Sequence, residues 1–240
     1  MAAKEPVLRE VRAAFEHEPR INLHRFPIHL DFNQDDLVLE GEVENIAAKK
    51  LALEFAGAVS GVRGIVDRLR VAPSEHMGDA EIRDHVRDAL LQEPALETCS
   101  IRARVKSAIE AYRELSEASG DILIEVEEGV VTLNGQVPSL SHKRLAGVLA
   151  WWVPGTRDVI NGLEEVPPEQ DNDDEVTDAV RLVLEKDPFV NADGIRVRAR
   201  DYVVELDGLV SSEEMKEIAE FDAWYVFAVD KVVNRLIVQH

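Results

Sequence analysis

Leu39-Glu40-Gly41-Glu42-Val43, Leu133-Asn134-Gly135-Gln136-Val137 and Leu206-Asp207-Gly208-Leu209-Val210 are three versions of one phrase. Each glycine is followed 26 residues later by an Asx residue: Asp67, Asn161 and Asn234. A phrase that recurs with a fixed internal spacing marks one supersecondary unit used three times. Working outward from each glycine recovers the rest of that unit.

Upstream lies an apolar stripe at helical spacing that stops at an acidic residue plus proline. Val7, Leu8, Val11 and Phe15 precede Glu18-Pro19. Ile82, Val86, Ala89 and Leu90 precede Glu93-Pro94, and Val176, Val180, Val183 and Leu184 precede Asp187-Pro188. The i, i+3/4, i+7 spacing predicts a helix, and the residue before a proline leaves the helical region. Asp79 and Asp173 stand where an N-cap would help. Two alternating runs follow, as in Ile122–Val126 and Val130–Leu133 around Gly129, which predict a hairpin. The glycine ends the second run. There it suits a bulge or a close approach by the next helix, with ligand contact as the alternative. A second helix is expected at 46–59, 141–153 and 213–226. A closing strand is expected at 65–71, 159–166 and 232–238.

The order is αββαβ, of the α+β class: small mixed sheets with the helices on one face. Three tandem domains are expected at 1–73, 77–168 and 172–240, with short linkers rich in turn and charged residues between them. The second carries an insert of about residues 98–120. Ile101, Val105, Ala108, Ile109, Tyr112 and Leu115 give it a helical period. Arg102, Arg104, Lys106 and Arg113 make it locally basic. It is read either as a helix packed on the core or as an amphipathic contact element.

Of 240 residues, 27 are Lys or Arg and 47 are Asp or Glu, a net charge of −20. The acidity grows along the chain. Residues 1–72 hold 10 cations against 12 carboxylates, residues 73–168 hold 9 against 17, and residues 169–240 hold 8 against 18. Such a surface repels nucleic acid and anionic lipid at long range. The single cysteine, Cys99, permits no internal disulfide. No apolar run has the ~20 residues of a membrane span, and the first residues lack a signal-peptide core. A cytoplasmic protein is the resulting expectation, with a periplasmic one as the alternative if a leader has been removed.

Nothing in the sequence points to catalysis. The seven histidines do not cluster at metal spacing, and HExxH, CxxC, phosphate-loop and nucleophile-elbow patterns are absent. Asp171–Glu175 superficially matches a calcium loop, but Val176 and Leu182 stand where such a loop needs glycine and a bidentate acid. No cofactor and no metal are expected.

The aromatic residues draw more attention. Trp151 and Trp224 both stand 16 residues after the repeat glycine, with Trp152 and Tyr225 next to them. At about 100° per residue these second positions fall near the core face and Trp151 and Trp224 point away from it. Trp152 and Tyr225 are therefore expected to be the buried pair. Val148 with Trp151, and Phe221 with Trp224, form a second apolar stripe that needs covering. Docking between the second and third domains, homodimerisation, and a lipid- or protein-binding patch are all open readings.

Hydrophobic-x-Gly-x-Val, a helix, a turn such as Gly61-Val62 or Pro154-Gly155, and a closing strand with Asn or Asp resemble the BON domain. This is a bacterial module named for osmotically induced and nodulation proteins. Three tandem copies cover nearly the whole chain, the third with Ala228-Val229 in place of Gly-Val. The resemblance implies the αββαβ fold, a binding or scaffold role without catalytic residues, and phospholipid or protein contact in stress and envelope function. A potassium-binding relative implies a cation-responsive alternative. Trp151, Trp224, Val148, Phe221, Arg102, Arg104, Lys106 and Arg113 are the candidate contact residues. Gly41, Gly135, Gly208, Asp67, Asn161 and Asn234 are the structural repeat.

Overall fold

The computed structural model describes residues 4–239. The chain divides into two compact units, one ending at Ala72 and the other beginning at Pro73.

The first unit is one αββαβ domain. It contains α1 (Lys4–His17), β1 (Ile28–Asn33), β2 (Asp36–Val43), α2 (Ile46–Ala58) and β3 (Gly64–Val71). Its sheet has the order β1-β2-β3, with β1 antiparallel and β3 parallel to β2. Alternate residues of β2, Leu37, Leu39 and Val43, are buried, as are Val11 and Phe15 of α1 and Leu51 of α2.

The second unit holds two further domains. One comprises α3 (Asp79–Gln92), β4 (Cys99–Val105), β5 (Ala108–Arg113), β6 (Gly120–Glu127), β7 (Val130–Val137), α4 (Leu140–Trp151) and β8 (Asp158–Glu165). The other comprises α5 (Asp173–Lys186), β9 (Ile195–Arg200), β10 (Val203–Val210), α6 (Glu213–Tyr225) and β11 (Lys231–Val238). The β9-β10-β11 sheet repeats the pairing of the first unit. α6 and α5 pack against one another and both pack against α4, so the two domains are docked.

The expected helical insert of residues 98–120 is not a helix. It is the β4–β5 hairpin, and β4 pairs in parallel with β6, extending that sheet to the order β5-β4-β6-β7-β8. The physical reason is the period: Cys99, Ile101 and Ala103 are buried while Arg102 and Arg104 alternate outward. Ile101, Val105 and Ile109 stand four apart, and that spacing satisfies both a strand and a helix. The β-branched residues and the Lys106-Ser107 turn, with Lys106 at φ 57°, settle it as strand.

Asp79 and Asp173 also depart from the expected role. The N-caps are Gly78 and Asn172. The two aspartates instead cap the hairpin of their own domain. Asp79 accepts the amides of Glu128 and Gly129 at 3.0 and 2.9 Å, and Asp173 those of Asp201 and Tyr202 at 2.9 and 3.1 Å. Both hairpin turns hold non-glycine residues at positive φ, which such bonds offset.

The repeated Asx residue has a structural function. Asn161 donates through Nδ2 to the carbonyl of Lys143 at 2.8 Å, and Asn234 to that of Lys216 at 3.0 Å. Each ties the closing strand to the first turns of the second helix. In the first unit Asp67 cannot donate. There the buried Lys49 ammonium bridges Asp67 Oδ2 and the Leu69 carbonyl, both at 2.8 Å. Asn161→Asp would set a carboxylate against a carbonyl, and a loss of about 1–3 kcal/mol in urea unfolding is the expected result.

Candidate interaction surfaces

The second helix begins at a capped serine or asparagine four residues after the repeat glycine. Ser139 and Ser212 accept the amides of His142 and Met215 at 3.3 and 3.1 Å. This fixes the rotational setting of α4 and α6 and hence where their aromatic residues point.

Two of the three tryptophans of the chain, Trp151 and Trp152 at the end of α4, touch side chains of α6. Trp151 stacks on Tyr225 with ring centroids 5.5 Å apart and an interplanar angle of 18°. Trp152 donates through Nε1 to Asp222 Oδ1 at 2.8 Å. Trp224 is fully buried and Val148 is buried, whereas Phe221 is half-buried. Trp152 and Tyr225, expected to be the buried pair, are half-buried. The order is reversed in the third domain, where α6 packs against both α4 and α5.

Polar contacts reinforce the docking. Arg144, almost wholly enclosed, donates to Asp171 at 2.6 Å and to the Phe227 carbonyl at 3.3 Å. Lys186 reaches Glu93 at 2.8 Å.

The basic residues of the insert are engaged inside their own sheet. Arg102 pairs with Asp121 and Arg104 with Glu125, one strand to the next. Arg113 donates to the carbonyls of Leu91 and Leu96 at 2.6 and 2.7 Å, sealing the end of α3. Lys106 occupies the hairpin turn. Cys99 is buried on the inner face of β4, and burial raises its thiol.

The open face of the third sheet was not singled out from the sequence. In β9 the inward residue Val197 is buried, so Arg196, Arg198 and Arg200 project to the other side, all exposed. Among the described residues none of the three is in an ion pair. On β11, Lys231 and Arg235 share that face, the latter bonded to Glu205 at 3.0 Å. Five of the eight cations in residues 169–240 are thus on one face, against two of its eighteen carboxylates, Glu205 and Asp207. Leu209 and Ile237 stand side by side across β10 and β11, 52% and 64% exposed. The Arg-x-Arg-x-Arg alternation was the available signal.

No group of three or more His, Cys, Asp or Glu residues able to hold a metal occurs among the described residues. No described helix is long and apolar enough to cross a membrane.

Comparison with known proteins agrees with the threefold repeat. Osmotically-inducible protein Y of Escherichia coli (strain K12) is 29% identical over 147 residues, covering 59% of this chain and 72% of that protein. Two structures of CdsD, a structural protein of the type III secretion system of Chlamydia trachomatis, align at 15% and 13% identity with TM-scores of 0.24 and 0.25. They cover 98% of this chain and 98% and 92% of theirs. The family model for the BON domain matches residues 5–73, 97–167 and 172–240, and the chain belongs to the BON domain family.

Proposed function

We propose that this is a non-enzymatic binding protein whose third domain meets an anionic, partly apolar interface such as a phospholipid surface. The observation that carries the reading is the row of unpaired Arg196, Arg198 and Arg200 beside exposed Leu209 and Ile237, in a segment that is otherwise strongly acidic. Cations attract an anionic surface at long range, and a small apolar pair adds contact once the face has arrived. The likeness to an osmotically inducible protein supports a stress-related setting. Trp151, Trp224, Val148 and Phe221 then act as scaffold that holds the second and third domains together. Arg102, Arg104 and Arg113 act as scaffold within the second.

Sedimentation with vesicles of phosphatidylglycerol and phosphatidylcholine at low salt tests this. The wild-type chain is expected to bind, and the triple variant Arg196→Glu, Arg198→Glu, Arg200→Glu to lose at least about tenfold in affinity. Arg102→Gln with Arg104→Gln is expected to stay within about twofold, since those charges are already paired. Equal binding by the triple variant, or no binding by the wild type, rejects the reading.

A further inference from the structure

The second and third domains share one fold but differ at one edge of the sheet. Ile122 pairs with Gly135 and Ile195 with Gly208, so β6 and β9 are equivalent strands. Leu123, Glu125 and Glu127 of the one match Arg196, Arg198 and Arg200 of the other. In the second domain the edge of β6 is filled. β4 adds to it in parallel, with Ile101 opposite Ile122 and Ala103 opposite Ile124. The inward residues of β4, Cys99, Ile101 and Ala103, are buried beneath α3, which packs on both strands. Its outward Arg102 and Arg104 pair with Asp121 and Glu125 of β6. In the third domain β9 is itself the edge strand.

The outer backbone groups of β9 are met by side chains of α5 where β4 supplies a strand in the second domain. The Ala199 amide points away from β10 and donates to Thr177 Oγ1 at 2.9 Å. Arg181 reaches the Val197 carbonyl at 3.4 Å. The Arg181 side chain is 54% exposed and also holds Asp178 at 3.4 Å, so it can turn aside for an incoming strand.

The charge at this edge is the inverse of that on β6. Arg196, Arg198 and Arg200 are exposed and, among the described residues, in no ion pair. Glu205 stands opposite Arg198 but is bonded to Arg235 at 3.0 Å, and Asp207 stands opposite Arg196. A second copy of β9 does not suit the edge. Antiparallel pairing about a twofold axis sets arginine against arginine wherever the two rows overlap, and like charges directly opposite destabilise a sheet.

We propose that β9 is a docking edge for an extended strand of another polypeptide, with acidic residues at alternate positions and apolar ones between them. The strand adds in parallel, as β4 adds to β6. Its carboxylates meet Arg196, Arg198 and Arg200, and its apolar side chains turn under α5 beside the buried Val197. Main-chain hydrogen bonds give affinity, and the alternation selects the partner. This recognition needs the edge backbone as well as the arginines, which sets it apart from attraction of the face to an anionic surface.

The full chain and labelled peptides of about eight residues test the edge by fluorescence anisotropy. One peptide alternates Glu and Val, and a second alternates Lys and Val. Two more keep the Glu-Val sequence and carry N-methyl groups, on the Glu amides in one and on the Val amides in the other. A parallel strand turns its Glu amides toward the outward groups of Val197 and Ala199 and its Val amides away from them. The Glu-Val peptide is expected to bind and the Lys-Val peptide not to bind. Methylation of the Glu amides should weaken binding at least about tenfold, and methylation of the Val amides by no more than about threefold. Bound peptide should slow exchange of the Val197 amide at least about tenfold. No binding of the Glu-Val peptide overturns the proposal, as does binding of the Lys-Val peptide with equal affinity. Equal binding by both methylated peptides and the parent overturns it too, but leaves the lipid reading standing, because charge alone would then hold the peptide. Loss confined to the Val-methylated peptide overturns the parallel addition.

Discussion

Gly135→Ala is expected to destabilise the unit beginning at Pro73 by about 3–5 kcal/mol, read as a lower urea midpoint for the full chain. Gly135 has φ +124°, a conformation that L side chains rarely adopt. A Cβ there would stand 2.0 Å from the Asp121 carbonyl oxygen and 3.0 Å from its carbon. Both are backbone atoms of β6, which is held in register by the Ile122–Gly135 pairing, so neither can rotate away. Relief requires the two strands to part near the open end of the hairpin. The repeat supplies two replicates. Gly208 has φ +139° with the Gly194 carbonyl oxygen 2.0 Å from the added Cβ, and Gly41 has φ +147° with that of Pro27 at 2.7 Å. Gly208→Ala is expected to match Gly135→Ala, and Gly41→Ala to cost less. Gly78→Ala, with nothing within 4 Å, is the control and is expected to stay within about 1 kcal/mol. A cost below about 1 kcal/mol at Gly135 would mean that the glycine marks something other than the close approach of two strands.

That close approach explains why the architecture was legible. The same steric demand recurs three times, so the glycine phrase and its Asx partner fall in register and identify each second strand, second helix and closing strand. Legibility failed where two structures satisfy the same pattern. Ile101, Val105 and Ile109 fit a helix face, and only the inward Ala103 between outward Arg102 and Arg104 separates strand from helix. It also failed where a side chain serves a distant backbone. Asp79 and Asp173 look like caps of the helices they begin, yet each closes a hairpin far along the chain. The aromatic stripe of α4 and α6 was visible as a surface in need of cover, whereas its cover depends on how two domains meet. The arginine alternation of β9 was readable, but the lack of ion partners is a property of the folded sheet.

Trp224→Ala is expected to cost about 3–5 kcal/mol and to separate the unfolding of the third domain from that of the second. Trp224 is wholly enclosed on α6, a helix that packs against α5 of its own domain and against α4 of the second, and the expectation is that α4 supplies part of its cover. Removing the indole empties a large volume in a place with little freedom to collapse. α6 is tied to β11 through the bonds from Asn234 to Lys216 and Glu220, both 3.0 Å, and to α4 through the Trp152–Asp222 bond. Trp151→Ala makes the contrast. It removes one half of the stack with Tyr225, a half-buried contact, and is expected to cost no more than about 1–2 kcal/mol. Calorimetry of the full chain separates the two. Trp224→Ala should split the transition of the unit beginning at Pro73 into two, whereas Trp151→Ala should shift a single transition. An unsplit transition with a shift no greater than that of Trp151→Ala would show that Trp224 belongs to the core of its own domain and carries little of the docking.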